Sequence, residues 1–207
     1  MRRYLYSILW MSILCQPVIS APIQLITGAP STYQPGQPVE FDVRLPAVSN
    51  LGSYNVDLVL ESAMGTAGVD FFFDVSATIP ASANYVLSSS ANFFDAANVD
   101  SPTRHRFTLT DFDFAGVDVV AGINDQVAHV VINTTPTFAG QLSIFVDADG
   151  LILDTPDINP TPVSGFDALK SDIAASGPIG IDPVPEPSAT VLLVWALAAG
   201  CIRRWTL

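Results

Sequence analysis

The sequence predicts an all-β protein, built as a single antiparallel β-sandwich of about nine strands between two apolar ends. Three observations predict this fold. Several segments alternate apolar and polar residues, turn residues recur about every ten positions, and no segment between the ends has the periodicity of an amphipathic helix. The 207 residues suffice for one such domain with flanking segments.

The first element is a secretory signal peptide, predicted at residues 1–20. Two arginines at the start precede an uncharged, mainly apolar run at residues 4–15. The residues that follow fit the pattern that signal peptidase accepts, with cleavage between Ser20 and Ala21. The 12-residue run is shorter than the ~20 residues that cross a bilayer as a helix. We therefore expect an exported protein that begins at Ala21.

Residues 21–172 carry the strand pattern of the sandwich domain. Residues 39–45 and 54–60 alternate apolar and polar side chains, so one face of each strand should be buried. Turn residues precede both strands, at residues 34–37 and 50–53. The other predicted strands are residues 23–26, 71–75, 85–87, 107–114, 117–120, 127–132, 142–146 and 151–153.

One predicted strand changes parity along its length. Phe107 falls on one face, whereas Phe112 and Phe114 fall on the other. A bulge or turn near Thr110 and Asp111 would reconcile the two halves, because one extra residue reverses the side to which side chains point.

After the sandwich, residues 173–187 are rich in Ser, Gly, Pro and Asp. This composition predicts a flexible spacer. Residues 188–207 then predict a short hydrophobic helix with a basic end. Its 14 uncharged residues would reach only ~21 Å across a ~30 Å hydrocarbon layer, and Arg203 and Arg204 should hold its end in the cytoplasm.

Pro185, Glu186 and Pro187 stand directly before this helix. Pro-Glu-Pro, an apolar helix and the pair Arg203 and Arg204 together resemble the PEP-CTERM sorting signal of bacterial exopolysaccharide producers. The resemblance implies that an exosortase, a membrane protease or transpeptidase, processes the tail near Pro-Glu-Pro. It also implies transient membrane anchoring and delivery to the cell surface or extracellular matrix. An ordinary tail anchor is the alternative.

Two short segments resemble the start of cohesin-like domains. They are Gly36-Gln37-Pro38-Val39, which enters a strand, and Leu51-Gly52-Ser53-Tyr54, which enters the next one. The resemblance implies a cohesin-like sandwich. Many carbohydrate-binding and adhesion sandwiches share this pattern, so an unrelated β-sandwich stays open as an alternative.

Composition restricts the partners of the exported part. Only four cations remain there against all 20 acidic residues, which argues against nucleic-acid binding because phosphate requires clustered cations. Both cysteines, Cys15 and Cys201, lie in the end segments. The domain must therefore hold together without a disulfide.

One cluster of acidic residues suggests a metal ion. Asp147, Asp149 and Asp154 lie near Gly150, and they could meet a calcium ion at a strand end. The cluster is not an EF-hand loop, because its first ligand position would fall on Phe145. Solvated turn aspartates are the alternative, and we expect no other cofactor.

Two functions follow from these patterns. The favoured one is a non-catalytic cell-surface or matrix protein, associated with exopolysaccharide or with another surface protein. The alternative is a small secreted hydrolase acting on polysaccharide. No Gly-x-Ser-x-Gly motif is present, and in a chain with 20 acidic residues a pair of carboxylates carries no weight as an enzyme signal. We therefore expect no catalytic residues.

Overall fold

The computed structural model of the protein describes residues 24–78, 83–90 and 92–184. They form two β-sheets with a shared core and one short helix, so the predicted all-β sandwich is confirmed. The strands are β1 (Ile26–Thr27), β2 (Thr32–Tyr33), β3 (Val39–Arg44), β4 (Val48–Glu61), β5 (Phe71–Phe73), β6 (Phe94–Ser101), β7 (Arg104–Val119), β8 (Gln126–Thr134), β9 (Leu142–Val146), β10 (Ile152–Asp154) and β11 (Ile179–Pro183). The helix, α1, spans Phe166–Ser176.

The first sheet has four antiparallel strands in the order β1-β3-β8-β5. The alternation of β3 places its faces as predicted. Val39, Phe41 and Val43 are buried, whereas Glu40 is exposed and Asp42 is half-buried. Apolar side chains at every second position thus cover one face of the core.

The second sheet has seven strands in the order β2-β11-β9-β4-β7-β6, and β10 also pairs with β4. All its pairs are antiparallel except β2 with β11. The long strand β4 is the centre of this sheet. On one side it pairs with β9 through Leu58 to Glu61 and with β10 through Ser53 to Asn55, so the loop between β9 and β10 lies beside Asp57.

The core lies between the two sheets. It includes the apolar faces predicted for residues 39–45 and 54–60, and Val56, Leu58 and Leu60 are fully buried. Burying each such side chain contributes about 1.5–3 kcal/mol. The largest fully buried side chains are Tyr54, Phe71, Phe107, Leu25, Leu51, Leu58, Leu60, Leu87, Leu109, Ile132, Leu142 and Ile144.

The predicted spacer is wrong for the part of it that the structure describes. Residues 173–176 complete α1, and residues 179–183 form β11, which pairs with both β9 and β2. Ile173 and Ile181 are buried in the core. Their apolar contacts outweigh the turn-forming residues around them, and Gly165 and Gly177 flank the helix with positive φ angles of 82° and 68°.

The predicted bulge near Thr110 and Asp111 is also wrong. The register of β7 against β4 is continuous through both residues. The irregularity lies further on, between the pairs Ser53–Phe112 and Leu51–Val117. Phe112 and Phe114 therefore keep the outward parity of their strand and are exposed instead of joining the core.

Both predicted apolar ends, residues 1–20 and 188–207, lie outside the described residues. Within the described part of the chain, no helix has the length and apolar character needed to cross a membrane.

Candidate functional site

The predicted cleavage and sorting residues fall beyond the described ranges. They are Ser20, Ala21, Pro185, Glu186, Pro187, Arg203 and Arg204. The last described residue, Val184, directly follows β11, and its N–H donates to the Tyr33 carbonyl at 2.8 Å.

The three aspartates of the predicted calcium site have separate environments. Asp147 accepts hydrogen bonds from Arg106 and from the Asp149 N–H, at 2.9 and 3.1 Å. The Asp149 carboxylate is 97% exposed and lies 3.5 Å from Lys170. Asp154 belongs to β10, opposite Ser53. Among residues 24–78, 83–90 and 92–184, no three His, Cys, Asp or Glu side chains form a group that could hold a metal ion.

The cation that contacts Asp147 is the guanidinium group of Arg106. Arg106 Nη1 lies 2.9 Å from both Asp57 and Asp147, and its Nε lies 2.9 Å from Asp100. Burial disfavours this cation, but the three carboxylates outweigh it and raise the pKa of Arg106. Partial burial would raise the pKa of Asp147, but the bonds from Arg106 and Asp149 outweigh it and lower that pKa. Asp147 is therefore ionised near neutral pH and cannot act as a general acid.

A second polar network is buried under the middle of β4, where Tyr54 pairs with Asp111. Asp111 is 1% exposed and accepts hydrogen bonds from the hydroxyl groups of Tyr85 and Ser90 and from the Phe112 N–H. The Tyr54 and Tyr85 hydroxyl groups are 2.8 Å apart. Burial raises the pKa of both tyrosines, so both stay protonated. This network fastens residues 83–90 to the sheet.

The two histidines have structural surroundings. His105 is buried and its Nδ1 accepts the Phe73 N–H at 3.3 Å, and burial lowers the pKa of His105. His129 lies on the outer face of the four-stranded sheet, 2.9 Å from Asp42 and 3.5 Å from Glu40.

The most distinctive exposed feature is an aromatic surface, which we call the phenylalanine patch (Phe94, Phe112 and Phe114). These side chains are 57%, 42% and 82% exposed. The rings of Phe112 and Phe114 meet edge to face at 5.3 Å. Phe94 pairs with Thr110, two positions from Phe112, so all three lie on the outer face of one sheet end.

A loop, residues 155–162, forms the wall of this patch. Pro156 packs so closely on Gly52 that a Cβ there would overlap the Pro156 backbone nitrogen. Gly116 has φ +69°, and a Cβ there would lie 2.8 Å from the Pro156 ring. These two glycines allow the loop and the Phe112–Phe114 pair to enclose a shallow hollow of about 150 Å³.

The rim of the patch is acidic. Asp113 and Asp157 line the hollow, and Asp118 accepts the Asn50 N–H close by. Within the described ranges, no ion pair includes any of these three aspartates. The four cations pair with other carboxylates, so this end of the molecule is strongly negative.

Sequence reasoning missed the patch as a site, although the parity change at Phe112 and Phe114 was its signal. The two residues face solvent because they continue the outward row of β7. No local sequence pattern predicts the cluster of carboxylates around Arg106, because Asp57 and Asp147 are 49 and 41 positions away from Arg106.

Comparison with known proteins finds similar folds in cohesin domains. A cohesin from Clostridium acetobutylicum, solved in solution, is 18% identical, with a TM-score of 0.47 over 75% of this chain and 86% of that one. A non-cellulosomal cohesin from Archaeoglobus fulgidus is 14% identical, with a TM-score of 0.42 over 76% and 88%. No protein-family model and no curated protein matches the chain.

Proposed function

We propose that this chain is an exported, non-catalytic cell-surface or extracellular-matrix protein whose sandwich acts as a binding module. The observation that carries the proposal is the phenylalanine patch. Three exposed phenylalanines lie on one sheet end, and two of them, Phe112 and Phe114, line a hollow beside a loop. Such an exposed apolar surface is typical of one that another molecule covers. The signal peptide and sorting tail predicted from the sequence support the location.

The partner that suits the patch is a protein with an apolar centre ringed by Lys and Arg. Aromatic side chains at the centre of an interface supply most of its energy, and charges at the rim orient the partner. The rim here consists of Asp113, Asp118 and Asp157. Charge complementarity therefore requires positive side chains on the facing surface of the partner. Ser90 and Asn92 bond the Phe112 carbonyl and hold the patch in place.

The position of the patch supports display away from the sorting tail. Ile179 of β11 lies beside Ile144, which lies beside Leu60 of β4, whereas Phe112 lies beside Ser53. Seven residues of β4 separate the two levels, which is about 23 Å at 3.3 Å per residue. Because β11 continues away from the patch, a chain anchored by its tail would point the patch outward.

The charged clusters also favour binding over hydrolysis. A glycosidase requires one carboxyl group with a raised pKa as its acid. The neighbouring carboxylates Asp57 and Asp147 share the Arg106 guanidinium, which holds the pKa of Asp147 down. Burial does raise the pKa of Asp95, but Asp95 takes part in no ion pair among the described residues. Exosortase processing of the tail and membrane anchoring before processing are parts of the same proposal, and they rest on the sequence resemblance.

Photo-crosslinking in the producing cells tests the binding proposal. Position 114 receives p-benzoylphenylalanine in place of Phe114, and a matched control carries it in place of Val69, which is 63% exposed at the other end. We expect a protein adduct from position 114 alone, joined through an apolar peptide flanked by Lys or Arg, and we expect Phe112→Ser to abolish it. Equal adducts from both positions, or none from position 114, would refute the binding surface.

A further inference from the structure

One edge of the seven-stranded sheet carries backbone groups that no neighbouring strand pairs. β6 is the last strand in the order of that sheet, and it pairs with β7 alone. In an antiparallel pair, alternate residues point their N–H and C=O groups toward the partner strand, so the other residues of β6 point theirs away from β7. Among the described residues, no backbone hydrogen bond joins this outer side of β6 to another segment.

Side chains also leave this edge uncovered. All eight residues of β6 are exposed or half-buried, and none is buried. The other strands that end a sheet, β1, β2 and β5, have only two or three residues each. β6 keeps a regular register from Phe94 to Val99, so it offers the longest template for a further strand in the described part of the chain.

This edge is continuous with the phenylalanine patch. Phe94, the first residue of β6, is one of the three rings of that patch and is 57% exposed. A strand added beside β6 would lie about 4.8 Å from it, and the residue opposite Phe94 would point to the same outward face. An apolar side chain at that position would extend the contact with the patch.

The next residue along the edge calls for a cation. Asp95 is paired with the buried Leu109, so it lies on the core side of the strand. Burial raises the pKa of Asp95, and no ion pair within the described ranges offsets this burial. A Lys or Arg opposite Asp95 would stabilise its ionised form. β6 contains neither residue, so pairing with β6 of a second copy would not supply the cation.

We propose that the protein partner binds by strand addition, with an extended segment that pairs along the free edge of β6 and places an apolar side chain beside Phe94 and a Lys or Arg beside Asp95. This rests on the proposed function, because it specifies how the partner of the phenylalanine patch is recognised. Backbone hydrogen bonds would supply much of the affinity, and the alternate side chains would supply the selectivity.

A phage library of random heptapeptides, selected on the exported protein and followed by synthesis of the selected peptides, tests this inference. We expect peptides with an apolar residue next to Lys or Arg, and we expect alternate amides of β6 to become protected from hydrogen exchange in the complex. N-methylation of the peptide amides that face β6 should raise the dissociation constant about tenfold or more, as the loss of ~1.4 kcal/mol would. N-methylation of the intervening amides should change it little.

A pair of protein variants tests the cation. Asp95→Asn should raise the dissociation constant of the selected peptides about tenfold, because their Lys or Arg loses its charged partner. Asp149→Asn removes an acidic side chain that is 97% exposed in the loop after β9, and it should leave binding unchanged. Thermal melting of both variants checks that they are folded.

The inference is overturned if no selected peptide protects the amides of β6, if both sets of N-methylated peptides bind equally, or if folded Asp95→Asn binds as the wild type does. Crosslinking from position 114 reports on the phenylalanine patch separately. An adduct at position 114 without protection of β6 refutes strand addition and keeps the binding surface. Protection of β6 without an adduct supports strand addition and refutes the patch.

Discussion

Arg106 forms ion pairs with three aspartates of the seven-stranded sheet and its loops. It joins Asp57, Asp100 and Asp147, which come from β4, β6 and the loop after β9. Arg106→Gln would leave the carboxylates of Asp57 and Asp147 without their cation, and Asp100 would keep only Arg104, at 3.9 Å. We expect the free energy of unfolding to fall by about 1–3 kcal/mol. Urea denaturation at neutral pH measures the change.

Lys170 provides the matched control for that experiment. Its ion pair with Asp149 is exposed, so Lys170→Gln should change stability by about 0.5 kcal/mol or less. Equal losses for the two variants would contradict the role assigned to Arg106.

Tyr85 is the donor that keeps the buried Asp111 carboxylate satisfied. Tyr85→Phe removes a hydrogen bond to the carboxyl group of Asp111, a residue that is 1% exposed, and should cost about 1–3 kcal/mol. Tyr54→Phe removes a hydroxyl that reaches Asp111 only through Tyr85, so it should cost less. Thermal melting of both variants compares them, and a larger loss for Tyr54→Phe would refute this order.

Several carboxylates make stability depend on pH in the acid range. Hydrogen bonds from Ser76, from the Ala77 N–H and from Asn133 lower the pKa of Asp74 below its ordinary value of 3.8, despite some desolvation. The unfolded chain therefore takes up a proton first as the pH falls, so this stability is present above pH ~4 and is lost as the pH passes through the lower folded-state pKa.

The expected result is a fall in the free energy of unfolding as the pH drops below ~4, with a smaller fall for Asp74→Asn than for the wild type. Urea titrations at a series of pH values measure it. Asp149→Asn, in an exposed loop, should follow the wild type. A variant curve for Asp74→Asn parallel to the wild type would show that Asp74 does not contribute.

Among the elements, β11 is a folded strand at positions where the sequence predicted a flexible spacer. Ile181 is fully buried between its neighbours, whereas Val184 is 39% exposed just after the strand. Ile181→Ala should cost about 2–5 kcal/mol, because it leaves a cavity in the core. Val184→Ala should change little. Denaturant unfolding of both variants tests this, and an unchanged Ile181→Ala would restore the spacer.

The elements differ in how far sequence could predict them. β3 and the second half of β4 alternate over six or more residues, so their faces were predictable. β1 and β2 have two residues each and exist only because a partner strand binds them. β11 was missed because Gly and Pro surround its two isoleucines, and the packing that overrides them is not local.

The candidate sites show the same limit. Asp147, Asp149 and Asp154 are close in sequence, but the first faces Arg106 and the second faces solvent, because neighbouring loop and strand positions point in different directions. The two hollows that share Glu61 depend on α1 and on the loops after β4 and β6, which no local pattern brings together.

At the scale of the whole molecule, the proposed arrangement has two ends. Val184, the last described residue, lies beside Tyr33, and the phenylalanine patch lies at the far end of β4 and β7. An acidic surface keeps such a protein soluble outside the cell. Its exposed phenylalanines support the binding role that we propose.

The proposed function requires that the chain be exported, trimmed and displayed outside the cell. Mass spectrometry of the terminal peptides of the protein recovered from the surface or matrix of producing cells checks this requirement. We predict a first residue of Ala21 and a last residue close to Pro185, Glu186 and Pro187. A protein found inside the cell with residues 1–20 and 188–207 both intact would contradict the account.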